Sequence, residues 1–423
     1  MPTSEPCPKP VESIPYLGMS PFLRLSIEGG DLNALGRKLL TALASDPHNA
    51  DLLMNMSLLS QCLAQQDIGL EFQREALKFA RIYSLPAARQ PARLRLLMLV
   101  APGNLQVNTP LECLLESSDV DLVFYYVCDG QTSLASVPDH DALFVAICES
   151  DSNRALLRAL ELELDNWPVP VINSPQFIPL TGRQAASTTL QGAPHLLVPA
   201  TLRATRADVK TVATGQRAMG ELLGGYSFPV IIRPLGSQAG KDLRKLDGPD
   251  DIPDYLQTVQ EPEFYIAPFV DYRDASGQYK KIRIALIDGQ AFACHMAVSS
   301  NWMVHYLNAG MYELAWKREQ EATFMDHFDE FAARHKPAID AIFSRMQLDY
   351  LVLDCAETAA GDLLLFEIDH GGVVHNMDKA SLFPYKDRHM QKIQAAFRDY
   401  LVRRVQAGPG NRANKHTISG AVT

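Results

Sequence analysis

No apolar run in this 423-residue chain approaches the ~20 residues needed to cross a bilayer, so no membrane-spanning helix is expected. The opening stretch, MPTSEPCPKPVESIP, lacks the basic-then-apolar order of a secretory signal. Cysteine is sparse and unpatterned: Cys7, Cys62, Cys113, Cys128, Cys148, Cys294 and Cys355 form no CxxC pair. That spacing argues against zinc or a disulfide framework and for buried thiols in a reducing compartment, so a cytoplasmic protein is expected. Basic residues are outnumbered, 39 Lys and Arg against 49 Asp and Glu, leaving a net charge of −10. Such a balance argues against non-specific binding to nucleic acid or to an anionic membrane surface, without forbidding a local basic cleft. Apolar residues make up 47 % of the chain, ordinary for a globular protein, and the length allows about two to four domains.

What stands out is residues 348–372, LDYLVLDCAETAAGDLLLFEIDHGG. Two short apolar runs, 350–353 and 363–366, each end in acids: Asp354 after the first, Glu367 and Asp369 after the second. An Ala-Ala-Gly-Asp turn at 359–362 joins them, so the segment reads as a β-hairpin. In extended chain alternate side chains share a face, which puts Glu367 and Asp369 together with Asp354 across from them. Three convergent carboxylates repel one another unless a cation sits between them, and hard oxygen ligands suit magnesium beside substrate phosphates. On its own, a hairpin with acids in solvated turns reads equally well.

Upstream, FPVIIRPLGSQAGKDLRKL (228–246) places Arg233 at the end of an apolar β-branched run and follows it with Gly236, Ser237, Gly240 and Lys241. Glycines let a loop turn its N–H groups toward phosphate oxygens, and an Arg supplies a permanent bidentate charge. The loop matches neither GxxxxGK[ST] nor GxGxxG, and alone it is as readily a β-turn.

Order and spacing add more than any one motif. Strand, Arg-Pro, glycine loop, a basic strand (YKKIRIALIDG, with Lys280, Lys281 and Arg283), then Asp…Glu-x-Asp resembles the ATP-grasp superfamily of carboxylate–amine ligases over about residues 92–402. VINSPQFIPLTGRQAASTTL (171–190) is similar to the run that opens that family's nucleotide unit. The resemblance implies that Arg183 and Arg233 touch the α- and β-phosphates and that loop 236–240 closes over them. It further implies that the hinge 265–269 (Tyr265, Ile266, Ala267, Phe269) meets the adenine edge. Asp271 is then a ribose partner, Arg283 the catalytic arginine facing the γ-phosphate, and Asp354, Glu367 and Asp369 the ligands of magnesium, with manganese an acceptable substitute. The family usually carries Lys at the first two positions, a Gln-Glu pair at Ala267-Pro268 and Asn at Asp369, so this chain departs from it at each. The segment matching the family's substrate wall offers His295, Asn301, Trp302, His305 and Asn308. The basic residues common there in peptide-adding relatives are missing, which argues against an acidic amino-acid substrate.

Before that unit, apolar residues recur at helical spacing from Asp31 to about Tyr83, broken at 46–49 and again at 65–68. The pair 50–64 and 69–82, with Gly69 and Ala76 at close-packing positions, resembles a tetratricopeptide helix pair, open to a peptide or protein partner. From Leu94 fully apolar runs alternate with helical patterns, among them 155–164, which predicts a parallel sheet covered on both faces. Its turn at 101–104 lies where open sheets bind ligands. Helical pattern also marks 211–223, 324–346 and 385–405, whereas the tail from Gly408 reads as disordered.

The expected fold is therefore α/β. A helical extension (1–90) and a parallel-sheet domain (91–182) precede the two parts of an ATP-grasp unit (183–270 and 271–405), and a tail follows (406–423). The leading expectation is ADP-forming ligation of an amino-acid or peptide carboxylate to an amine, in a chain able to form a homodimer. A small-molecule kinase with the same nucleotide site, and a nucleotide-binding scaffold that holds a partner on its helices, are the alternatives.

Overall fold

The computed structural model describes residues 14–409 except 129, 131, 238 and 239. Expectations that fall on residues 1–13 and 410–423 lie outside the described residues. Strands β1 (Ile82–Leu85), β2 (Leu94–Val100), β3 (Val120–Tyr126), β4 (Ala142–Val145) and β5 (Val171–Ile172) form one sheet in the order β1-β3-β2-β4-β5, and the apolar runs of β2, β3 and β4 are buried on both faces. Strands β3, β2, β4 and β5 are parallel, as the unbroken apolar runs predict. The antiparallel edge strand β1 corrects the expected helix through Ile82. That helix stops at Phe79, because Tyr83 is needed in the sheet: it is 1 % exposed and stacks on Tyr16 and Tyr126.

Four helices precede the sheet: α1 (Ser20–Glu28), α2 (Leu32–Ser45), α3 (Ala50–Cys62) and α4 (Gln66–Phe79). The Asp31 and Asn49 side chains accept backbone N–H groups at the starts of α2 and α3, which is why the pattern breaks there. Helix α3 is buried from Leu52 through Ser60, so it is a core helix shared with the sheet. Gly69 permits α4 to approach it: a Cβ there would lie 2.5 Å from Gln61 Cγ and 2.8 Å from the Ser57 carbonyl.

From Leu196 the chain builds two further sheets, antiparallel except for the parallel pairing of β14 (Leu363–Asp369) with β6 (Leu196–Leu197). Strands β6 (Leu196–Leu197), β7 (Leu202–Thr205), β8 (Val230–Pro234), β9 (Arg244–Leu246) and β10 (Glu263–Pro268) are followed by β11 (Tyr279–Ile287), β12 (Gln290–Ser299), β13 (Tyr350–Glu357) and β14 (Leu363–Asp369). The smaller sheet runs β7-β10-β8-β9, and the larger runs β12-β11-β13-β14-β6. The hairpin of β13 and β14 forms with Asp354 opposite Glu367 on one side and opposite Arg283 of β11 on the other. Residues 265–268, expected as a hinge, complete β10 instead.

Helix boundaries depart from the pattern in three places. The run 211–223 splits into Arg206–Ala213 and Met219–Leu222, because Gly215 takes a left-handed conformation at φ 70°. The run 324–346 is divided among Ala315–Asp326, Phe328–Arg334 and Lys336–Met346. Helix Lys386–Ala407 extends the expected 385–405, while Arg154–Glu163 lies one residue ahead of 155–164.

A buried polar knot joins the parallel sheet to the larger antiparallel one. Asn173 is fully buried, and its backbone and side chain exchange four hydrogen bonds of 2.8–2.9 Å with Asp349 and Tyr350. Tyr400 donates to the second carboxylate oxygen of Asp349 at 2.5 Å. The chain is thus α/β, with helices preceding a parallel sheet and two antiparallel sheets beyond it, the class the residue pattern predicts.

Candidate functional site

Where strands of the two antiparallel sheets meet, a cavity of about 510 Å³ is lined by Arg183, Arg233, Lys281 and Arg283, by Asp354, Glu367 and Asp369, and by an apolar wall that includes Ile266, Ala267, Phe269 and Trp302. Four cations and three acids from five elements therefore face one space. Alternation along β11 puts Lys281 and Arg283 on one face of the strand, and alternation along β14 does the same for Glu367 and Asp369.

Charge compensation in the cavity is local. Arg283 donates to both oxygens of Asp354, at 2.8 and 3.0 Å, and Lys281 adds an ion pair at 2.8 Å. Burial disfavours the charge on Asp354, but these two cations outweigh it and hold the carboxyl well below its usual range. For Arg283 the order is the same: burial opposes its charge, and Asp354 more than offsets that. Arg183, which opens helix Arg183–Leu190, reaches Glu367 at 2.5 Å. Glu367 is lowered in turn, burial being outweighed by Arg183. Arg233 donates to the Ser237 hydroxyl at 3.1 Å and to its carbonyl. Burial and the facing Arg183 bring its guanidinium down to about 10.

Asp369 is the exception. Burial and the neighbouring Glu367 push its carboxyl up to about 6, although the Gly371 and Gly372 N–H groups donate to it. Gly371 has little room for a side chain: a Cβ would lie 2.5 Å from Cys148 Sγ.

Among the described residues no group of three or more His, Cys, Asp or Glu is gathered closely enough to hold a metal ion. Asp354 and Glu367 are ion-paired, so the magnesium assignment rests on the chemistry of the donors. These are carboxylates alone, on adjacent strands, and in Asp369 one of them is already strained by like charge.

Of the remaining residues expected at the site, Tyr265, Ile266, Ala267, Phe269 and Gly240 line the cavity, as do His305 and Asn308. Gly236 and Ser237 do not line it, Ser237 serving instead as the partner of Arg233. Asp271, expected at a ribose, is exposed, stands off the wall and is bound bidentately by Arg273 two residues on. Asn301 is exposed and off the wall. His295 packs its ring 4.7 Å from Tyr306 behind the wall, where burial and then Arg283 hold it neutral. Lys281 had no assigned role, although its i+2 spacing from Arg283 places it on the same face. Gln106 and Met303 also line the cavity, and nothing in their local sequence marks them.

No family model matches the chain, and no curated protein matches it. Among solved structures it is similar to a D-alanine–D-alanine ligase from Bacillus anthracis complexed with ATP, with TM-score 0.43 and 11 % identity over 74 % of this chain and 99 % of that one. It is also similar to the VanG D-Ala:D-Ser ligase from Enterococcus faecalis, with TM-score 0.45 and 10 % identity over 73 % and 99 %. The ATP-grasp ligase PsnB, complexed with a phosphomimetic variant of its minimal precursor, Mg and ADP, gives TM-score 0.40 and 16 % identity over 73 % and 98 %. At such low scores the likeness carries no argument. The functional reading rests on the cavity.

Proposed function

We propose that this chain is an ATP-dependent ligase of the ATP-grasp type that joins a carboxylate to an amine through an acyl phosphate. The observation that carries the reading is the convergence of Arg183, Arg233, Lys281 and Arg283 on one cavity whose other wall is apolar. A polyphosphate needs the first and a nucleobase the second. The acids Asp354, Glu367 and Asp369 would hold magnesium, which would supply positive charge against the phosphates.

A carboxylate does not react with an amine at neutral pH, because its leaving group would be oxide. When a carboxylate oxygen attacks the γ-phosphorus, the bond from phosphorus to the bridging oxygen breaks and ADP leaves. The product is an acyl phosphate. The amine nitrogen then attacks the carbonyl carbon, inorganic phosphate departs and the nitrogen loses a proton. Phosphoryl transfer asks the protein mainly for position and charge, and a preorganised donor such as Arg283 contributes about 3–4 kcal/mol. His305 is held neutral by burial and then by Lys281 and Arg283, so it is suited to take the amine's proton.

Buried free thiols at Cys113, Cys294 and Cys355 support a reducing, cytoplasmic setting, and none of the described helices is long and apolar enough to cross a membrane. The test is incubation with magnesium, ATP and a panel of amino acids and short peptides, with and without hydroxylamine. Hydroxamate formed together with ADP, and abolished in Arg283→Ala, is the expected result. ADP release with a stable phosphorylated alcohol and no hydroxamate would replace the ligase by a kinase.

A further inference from the structure

A second, smaller cavity of about 50 Å³ lies where helices α3 and α4 and the segment before α1 cover the carboxyl ends of β2 and β3. It is lined by Tyr16, Phe124 and Tyr126 and by Gln61, Gln73 and Glu112. Strand order reverses around β2, whose neighbours β3 and β4 follow it on opposite sides, and open sheets bind ligands at that crevice. The wall is firmly built. Gln73 accepts from the Gly103 N–H at 2.7 Å and donates to its carbonyl at 3.1 Å, and a Cβ on Gly103 would lie 2.6 Å from Val107.

Two oxygens on this wall have no donor among the described residues: Glu112 Oε2 and Gln61 Oε1. Glu112 is 8 % exposed, and its carboxyl takes a long bond of 3.4 Å from the Met19 N–H and another from its own backbone N–H. Gln61 spends its amide N–H on Ser57 at 3.2 Å, and its buried carbonyl oxygen is an acceptor with no donor among the described residues. A buried carboxylate oxygen without a partner is costly, whereas a donor-bearing cation would satisfy both acceptors. The three aromatic rings add faces that attract positive charge. The volume exceeds the roughly 10–15 Å³ that one water needs, so there is room for a group of a few heavy atoms.

We infer that this cavity binds a primary ammonium group, as carried by a small alkylamine or the amino end of a peptide, with Glu112 as its counter-ion, Gln61 as its second acceptor and Tyr16, Phe124 and Tyr126 as its walls. Burial pushes the Glu112 carboxyl up to about 7, and a bound ammonium offsets that cost. The inference is independent of the nucleotide cavity and stands if the ligase reading fails.

The test uses the full chain at pH 8 with ethylammonium chloride, against tetramethylammonium chloride and potassium chloride at equal ionic strength, read by thermal shift and titration calorimetry. Saturable binding of ethylammonium, weakened at least tenfold in Glu112→Gln and severalfold in Gln61→Leu, is expected. If Glu112→Gln does not fold, Gln61→Leu and the tetramethylammonium comparison decide the matter, because a quaternary ion has no N–H to give. Equal responses to the three salts, or unchanged ethylammonium binding in a folded variant, would overturn the assignment.

Discussion

Asp354 is the pivot of the candidate site, and replacing it with Asn is the sharpest perturbation. Its side chain is 6 % exposed, and it is gripped by two hydrogen bonds from Arg283 and an ion pair from Lys281. Asn keeps the shape and removes the charge. Lys281, about a quarter exposed, can turn to solvent. Arg283, a quarter exposed as well, stays tied to the Val373 carbonyl and keeps Glu367 as its nearby anion. Losing the charge-assisted bonds of such a partly hydrated pair costs about 1–3 kcal/mol. The double variant Asp354→Leu with Arg283→Met strands nothing and is expected to lie within about 1 kcal/mol of the parent, since apolar replacement of a buried pair is often neutral. Urea unfolding followed by tryptophan fluorescence reads both, and adding the single variants Asp354→Leu and Arg283→Met closes the cycle whose non-additivity isolates the pair. A loss below about 1 kcal/mol in Asp354→Asn, unrelieved in the double variant, would mean that Arg283 is hydrated. The cavity would then lack the low-dielectric guanidinium on which its phosphate chemistry depends.

Glu112 has a folded value near 7 against its usual 4.5, so raising the pH through that interval ionises it in the unfolded chain first. Its contribution to stability is therefore full below about 4.5 and is lost by about pH 8. The change amounts to roughly 3 kcal/mol, and Glu112→Gln should flatten it in melts taken from pH 5 to 8. Gly69→Val must push two methyls into Gln61 and the Ser57 carbonyl and should cost about 1–3 kcal/mol; an unchanged melting temperature would mean that α3 and α4 are not so close. Tyr306→Phe removes a 2.8 Å donor from the fully buried Glu321 and the 2.6 Å acceptor of Lys386. A loss of about 1–3 kcal/mol by urea unfolding is expected, and a neutral result would show that Tyr385, the Met296 N–H and Lys386 satisfy that carboxylate without it.

Much of this was legible in the residues, for reasons that differ by element. The parallel strands announce themselves because burial on both faces leaves no polar position in runs such as 96–100. The hairpin and its facing acids follow from period-two alternation and one glycine turn. Strand β1 was hidden because four residues continue a helical spacing, and only the demand of Tyr83 for the sheet breaks it. The pattern that brings the three acids together does not reveal the cations paired with them. Lys281, Arg283 and Arg183 reach them only through a register set across three strands and a helix, which no local pattern encodes. The pairing of Asp271 with Arg273, by contrast, lies two residues away in sequence and was open to inspection. The small cavity of Glu112 was foreshadowed by the turn at 101–104, but its walls come from helices some 30 to 90 residues distant, as the Gln73–Gly103 and Met19–Glu112 bonds show.

The knot of Asn173, Asp349, Tyr350 and Tyr400 governs how this molecule can breathe. Five interlocking hydrogen bonds, sealed from water and spanning up to 177 residues of sequence, weld the parallel sheet and the larger antiparallel sheet into a single rigid chassis. The four-stranded sheet, with a core of its own and with Arg233, Ile266 and Ala267 upon it, shares none of those bonds, so opening of the proposed site is expected as a swing of that jaw against an anvil that holds all three carboxylates.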